Sequence, residues 1–113
     1  MVEKKILDWL SSTLSVPVYM ERPVDIPESY VIIEKTGSSM NNWIYSVTIA
    51  AQSYAKTMYA AAELNEQVKA AMFGLLQHGA VSSVKLNSDY NYTDTSTKEY
   101  RYQAVFDLVV YDD

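Results

Sequence analysis

Cysteine is absent from the 113 residues. That excludes a disulfide framework and any thiolate zinc site, and it fits a reducing compartment. Histidine occurs once, at His78. A histidine-based triad would rest wholly on it, and no G-x-S-x-G elbow stands anywhere in the chain. The three glycines, Gly37, Gly74 and Gly79, are too scattered to cradle a phosphate. No apolar run approaches the roughly 18 residues that a membrane span needs. Asp8 interrupts the opening Ile6-Leu7-Trp9-Leu10 stretch and no small-residue cleavage site follows, so no signal peptide is expected. The nine basic residues are spread from Lys4 to Arg101 and form no stripe. A protein that grips phosphates needs a clustered positive footprint, so direct nucleic-acid binding is not expected. The formal net charge of −5 also opposes adhesion to an anionic membrane.

What remains is enough for one domain with a real core. Hydrophobic residues make up 49% of the chain, which suffices at this length without disulfides or metal. Ten residues are Tyr, against two Phe and two Trp. Tyr buries its ring while its hydroxyl stays wet, which suits half-exposed strands and protein interfaces.

The stretch 43–76 organises the rest. Trp43, Tyr45, Val47, Ile49 and Ala51 alternate onto one face of a strand, a period of two. Met58, Ala61, Leu64, Val68, Ala71, Met72 and Leu75 then recur at helical spacing, with Met58 and Met72 as core fillers. The helix is expected from about Ser53 or Lys56. Gly79 should supply its C-terminal cap, and Gly74 should weaken its last turn slightly.

Before this unit, residues 2–14 read as a short amphipathic helix with Val2, Ile6, Trp9, Leu10 and Thr13/Leu14 on one side. Residues 16–19 read as a short edge strand, because Pro17 cannot donate to a ladder. Pro23 and Pro27 make 21–29 an irregular extended loop. Residues 30–36 form a second strand, and 37–42 (Gly-Ser-Ser-Met-Asn-Asn) the turn of a hairpin. After the long helix, 81–87 is a modest strand, and 88–97 is a long polar loop or a protruding hairpin tip. Residues 99–111 form the last strand. In it Tyr100, Tyr102, Ala104, Phe106, Leu108 and Val110 face one way, and Arg101, Gln103, Val105, Asp107, Val109 and Tyr111 the other. The expected fold class is α+β, in the order α-β-β-β-α-β-β. About five mainly antiparallel strands form the sheet, with two helices packed on one face. Ile6, Leu10, Ile33, Val47, Ile49, Leu64, Val68, Phe106 and Leu108 should be buried together.

No pattern carries chemistry. Asp89, Asn91, Thr93 and Asp94 imitate the start of a calcium loop. However, Asp94 stands where the turn needs Gly, and Tyr100 where a bidentate Glu is needed. Asn91-Tyr92-Thr93 matches a glycosylation acceptor without a secretory signal to give it meaning. Glu63 and Glu66, with Lys69 three residues from Glu66, read as a solvated helix face. No metal, no cofactor and no enzymatic activity are therefore expected.

The sheet face opposite the helices carries Ile44, Val105, Val109 and Tyr111 among Thr48, Arg101 and Gln103, with no third layer in the chain to cover it. An apolar patch rimmed by polar groups commonly marks an interface. The candidate interface residues are Met40, Ile44, Asp89, Tyr90, Tyr92, Arg101, Val105, Val109 and Tyr111. Met40 enters because it lies in a loop beside Trp43, where a core does not explain it.

Three phrases, read in order, bring a family into view. They are Val16-Pro17-Val18-Tyr19, the run Pro27-Glu28-Ser29-Tyr30-Val31-Ile32-Ile33, and Val47-Thr48-Ile49-Ala50-Ala51-Gln52-Ser53-Tyr54 entering the helix. With the order of elements, they resemble the small tail-terminator, or tail-completion, proteins of long-tailed bacteriophages and prophages. The resemblance covers nearly the whole chain. It implies a structural virion protein of the tail or neck, assembled in the host bacterial cytoplasm. The implied assembly is a self-associated hexameric ring that caps the tail tube and joins it to the head-tail connector protein. An acidic ring lumen would let DNA pass without sticking, since like charges repel. A small monomeric protein-binding adaptor that presents the Tyr-rich loop is the alternative.

Overall fold

The computed structural model describes residues 1–79 and 81–110. Helix α1 (Val2–Thr13) is followed by strands β1 (Val18–Tyr19), β2 (Tyr30–Asn41) and β3 (Ile44–Ala55). Helix α2 (Met58–Phe73), a short α3 (Leu75–His78), β4 (Val81–Asn91) and β5 (Tyr100–Val110) complete the chain. The five strands make one sheet in the order β1-β2-β3-β5-β4. Only β1–β2 is parallel; the other three pairings are antiparallel. The fold is thus α+β, with the element order and helix-covered sheet that the sequence predicts.

The core forms where the two periodicities meet. Val47, Ile49 and Ala51 of β3 pair with Leu108, Phe106 and Ala104 of β5. All six side chains point under the helices, together with Val31 and Ile33 of β2. From α2, Leu64, Val68, Ala71 and Met72 descend onto them, and α1 adds Val2, Ile6 and Leu10. All nine residues expected in the core lie in this one cluster. Met58, expected there too, is only half-buried, and its sulfur accepts from Asn91 and Thr93 instead.

Several boundaries differ from expectation. Residues 37–41 are strand, not turn: β2 runs on to Asn41 past a bulge between Lys35 and Gly37. The turn is only Asn42-Trp43, with φ of 52° and 68°. Positive φ at both central residues is the twist-matched geometry of a two-residue hairpin. Trp43 therefore does not start the strand on its core face; it sits on the tip, 92% exposed. β3 continues to Ala55, so the helix starts later than Ser53 or Lys56. Thr57 caps it, its hydroxyl accepting from the Ala60 amide at 3.1 Å, a bond typical of an N-terminal threonine. Gly74 ends α2 rather than weakening it, and α3 follows with Gly79 as a left-handed cap at φ 86°. The modest strand at 81–87 extends to Asn91, and the polar stretch closes as a hairpin tip stapled by an Asp94–Glu99 bridge. Strand β5 has 11 residues, roughly 36 Å of chain. It therefore runs along the 45 Å axis of a molecule only 25 × 24 Å across.

Candidate interaction surfaces

The face of the sheet away from the helices is built by residues of the other parity. Ser46, Thr48, Ala50, Gln52 and Tyr54 of β3 register with Val109, Asp107, Val105, Gln103 and Arg101 of β5. Next to them stand Ser83, Lys85, Ser88, Tyr90 and Tyr92, leading from β4 into its tip. The middle of this face is a hydrogen-bonded ladder. Thr48 Oγ1 donates to Asp107 Oδ1 at 3.0 Å, and Asn87 Nδ2 to Asp107 Oδ2 at 2.9 Å. Gln52 Nε2 donates to Gln103 Oε1 at 2.7 Å, and Gln103 Nε2 reaches the Tyr90 hydroxyl. Tyr54 donates its hydroxyl proton to Gln52 Oε1 at 3.1 Å. Val105 and Val109 are half-buried among these groups.

One corner of this face is covered, contrary to the expectation that no third layer exists. Tyr30, Ile32 and Tyr54 form a second small cluster there, with Tyr19 against it. Tyr30 and Tyr54 stack with ring centroids 4.6 Å apart and planes 4° from parallel. The proline-bearing segment after β1 laps this corner: Ile26 and Pro27 line a cleft with Tyr30, Tyr54 and Tyr100, and Arg22 forms an ion pair with Glu99. The Glu99 carboxylate holds the Arg22 guanidinium charged beyond its usual range. Burial pushes the Tyr30 hydroxyl above its usual pKa, and the nearby Arg22 charge opposes that.

Every candidate interface residue but Tyr111 has a place among the described residues. Arg101 lies between two tyrosines, its guanidinium carbon 4.5 Å from the Tyr92 ring centroid and 5.6 Å from that of Tyr54. Its Nη1 donates to the Tyr54 hydroxyl at 3.0 Å, and its Nε to the Tyr92 carbonyl at 2.7 Å. Tyr90 and Tyr92 meet edge to face at 5.8 Å. Tyr90, Tyr92, Arg101, Val105 and Val109 are thus brought together on one face. Asp89 belongs to the opposite side. It registers with Ala104 and accepts from Asn65 Nδ2 at 2.6 Å and from Lys69. Lys69 also pairs with Glu66, as its spacing suggests. Hydrogen bonds to Asp89 first, and Glu66 second, raise the Lys69 pKa. Met40 and Ile44 lie apart from all of these, at the β2–β3 tip, and are 63% and 53% exposed. Tyr111 lies outside the described residues.

Alternation concealed Trp43 from a reading of the sequence. Its parity places it on the core face of β3, and only the Asn-Asn dipeptide before it hints at a turn. Val24, 98% exposed, was hidden in a loop whose prolines drew attention to its backbone rather than its surface.

The residues that imitate a calcium loop serve local structure. Asn91 Oδ1 accepts from the Thr93 amide, and Asp94 Oδ1 from the Ser96 amide and hydroxyl. These bonds from Ser96, with those from Thr97, lower the Asp94 pKa. Among the described residues no three His, Cys, Asp or Glu side chains converge as metal ligands. His78 meets Trp9 edge to face at 5.3 Å. Among the described residues no helix is long and apolar enough to cross a membrane.

Neither protein-family models nor curated protein sequences give a match to this chain.

Proposed function

We propose that this chain is a structural subunit whose copies associate into a ring, closing the end of a phage tail tube and joining it to the head connector. The resemblance to tail terminators supplies that role and the virion location. The observation that supports it most is the one-sided layering of the fold. Both long helices pack on one face, so most of the other face of the sheet is left open, along a molecule 45 Å long, with Val105 and Val109 half-covered on it. A ring subunit needs extended surfaces of this kind, and a self-contained adaptor does not. The acidic charge of −5 also suits a passage for DNA.

Light scattering across a concentration series, with electron microscopy of the same samples, tests the assembly. Rings of uniform diameter are expected. Supplying the chain to a host whose phage lacks its tail-completion gene tests the role, with tails of defined length joined to heads as the expected result. A single-chain mass throughout, with no complementation, would favour the adaptor reading.

A further inference from the structure

The β2–β3 hairpin carries a contradiction that the folded monomer does not resolve. Trp43 holds a left-handed backbone, φ 68°, which disfavours side chains with a Cβ and suits glycine. It spends that strain to set one of the protein's two tryptophans in water, 92% exposed. Met40 and Ile44 stand exposed beside it. Strain of this kind points toward function when the residue stabilises nothing locally.

Beyond the bulge between Lys35 and Gly37 the hairpin is also unprotected as an edge. Strand β1 pairs with β2 only at Val31 and Ile32, so residues 33–41 have no strand on their outer side among the described residues. Exposed edges are normally blunted by charge. From Thr36 to Ala55 this chain has no charged residue at all. In a protein of net charge −5, copies repel one another over most of their surface, and this neutral hairpin is where they approach most easily.

A receiving surface lies elsewhere on the same chain. A groove of about 500 Å³ runs between α1 and the segment that follows β1, and is lined by Leu7, Val18, Tyr19, Met20, Pro23 and Val24. That volume lies in the range of pockets that accept ligand-sized groups, about 300–1,000 Å³. Val24 on its wall is 98% exposed and Met20 42%. The charges at its rim, Glu21 and Arg22, are of opposite sign, and Arg22 is already paired with Glu99. An apolar tip therefore meets one paired charge, Arg22, and one exposed charge, Glu21, which keeps its water if it stays at the rim.

We propose that the Met40–Trp43–Ile44 tip of one copy seats in this groove of a second copy of the chain. The inference rests on the ring reading and adds one contact to the open sheet face already proposed. Tip and groove are different surfaces, so repeating the contact gives a ring where its rotation closes and an open filament where it does not; the ring reading takes the first. One Trp buries about 150–250 Å². A single tip therefore falls short of the about 800 Å² per partner of a stable interface. Association should be weak pair by pair and held by closure.

Trp43→Gly and Val24→Glu, each in the full chain, test this in analytical ultracentrifugation. Each variant should stay a single chain at concentrations at least tenfold above those where the wild type assembles. Trp43→Gly should also melt higher than the wild type, because glycine relieves the turn. The two variants mixed should form pairs and nothing larger, since only one intact tip and one intact groove remain. Trp43→Gly that assembles like the wild type refutes the tip contact and leaves the ring reading standing. Wild type that stops at two copies, with its variants behaving as expected, refutes the ring and keeps the contact. Wild type that remains a single chain to roughly millimolar concentration refutes the contact, whatever the variants do.

Discussion

Phe106 is fully buried, edge-on to Phe73 at 6.2 Å, and registered with Ile49 and Leu86 on its two sides. The sheet around it cannot collapse into the space its ring would vacate. Phe106→Ala should therefore cost about 3–5 kcal/mol, read as a lower denaturant midpoint with an unchanged slope. Lys69 illustrates a different residue-scale contribution. Its carboxylate partners Asp89 and Glu66 raise its pKa, so the folded state holds this proton more tightly than the unfolded one. The stability it adds is fully present below the ordinary lysine pKa and fades as pH rises through the raised value. Tyr30, also shifted upward, fades in the same direction from its own ordinary value. Thermal melts between pH 8 and pH 11 should show an alkaline decline that is shallower in Lys69→Met. An identical slope in that variant would remove Lys69 from the account.

At the scale of elements, the junction between α2 and α3 depends on an atom that is missing. A Cβ on Gly74 would lie 3.1 Å from the Trp9 ring and 3.1 Å from the Ala71 carbonyl oxygen. The same Ala71 oxygen accepts from Trp9 Nε1 at 2.8 Å, so the indole is held in place and cannot easily yield. Gly74→Ala should cost about 1–3 kcal/mol as overpacking and shift the emission of Trp9; unchanged stability and emission would show that α1 adjusts freely. This glycine also marks how far the elements were legible in sequence. Where one face is buried, alternation or helical spacing was enough: the face of β3 beyond Trp43, that of β5, the stripe of α2 beyond Met58 and all nine core residues follow from it. Where both faces of a hairpin meet water, residues need not alternate. Ser38, Ser39 and Met40 therefore look like a turn while pairing with Val47, Ser46 and Tyr45. Residues 88–91 were obscured in the same way. Among the interface candidates, Arg101, Val105 and Val109 share a face by the parity of β5, while Tyr90 and Tyr92, in a stretch that reads as a loop, join them only through strand pairing and the tip. Asp89 stands on the other side, where its ties to Asn65 and Lys69 join distant parts of the chain and so leave no local pattern.

At the scale of the whole molecule, the two sides of the sheet do different work, and one double substitution separates them. The helix-covered side holds the main core, including Ala104, Phe106, Leu108 and Val110 of β5. On the open side, Val105 registers with Ala50 and Ser88, and Val109 with Ser46 and Ser83. These small neighbours leave room for a longer side chain at either position. Asp107 stands between them, already bonded to Thr48 and Asn87 and registered with Lys85. Val105→Glu together with Val109→Glu should thus cost the monomer no more than about 1 kcal/mol from like charges on one strand. If the open face is buried against a neighbour, the same two carboxylates lose water without gaining partners, a penalty that an interface cannot absorb. The double variant is therefore expected to keep its melting midpoint within a few degrees, to form no rings, and to fail to complete tails. Rings that persist in the double variant would move the contact off this face, leaving the tip of the β2–β3 hairpin as the surface on which assembly turns.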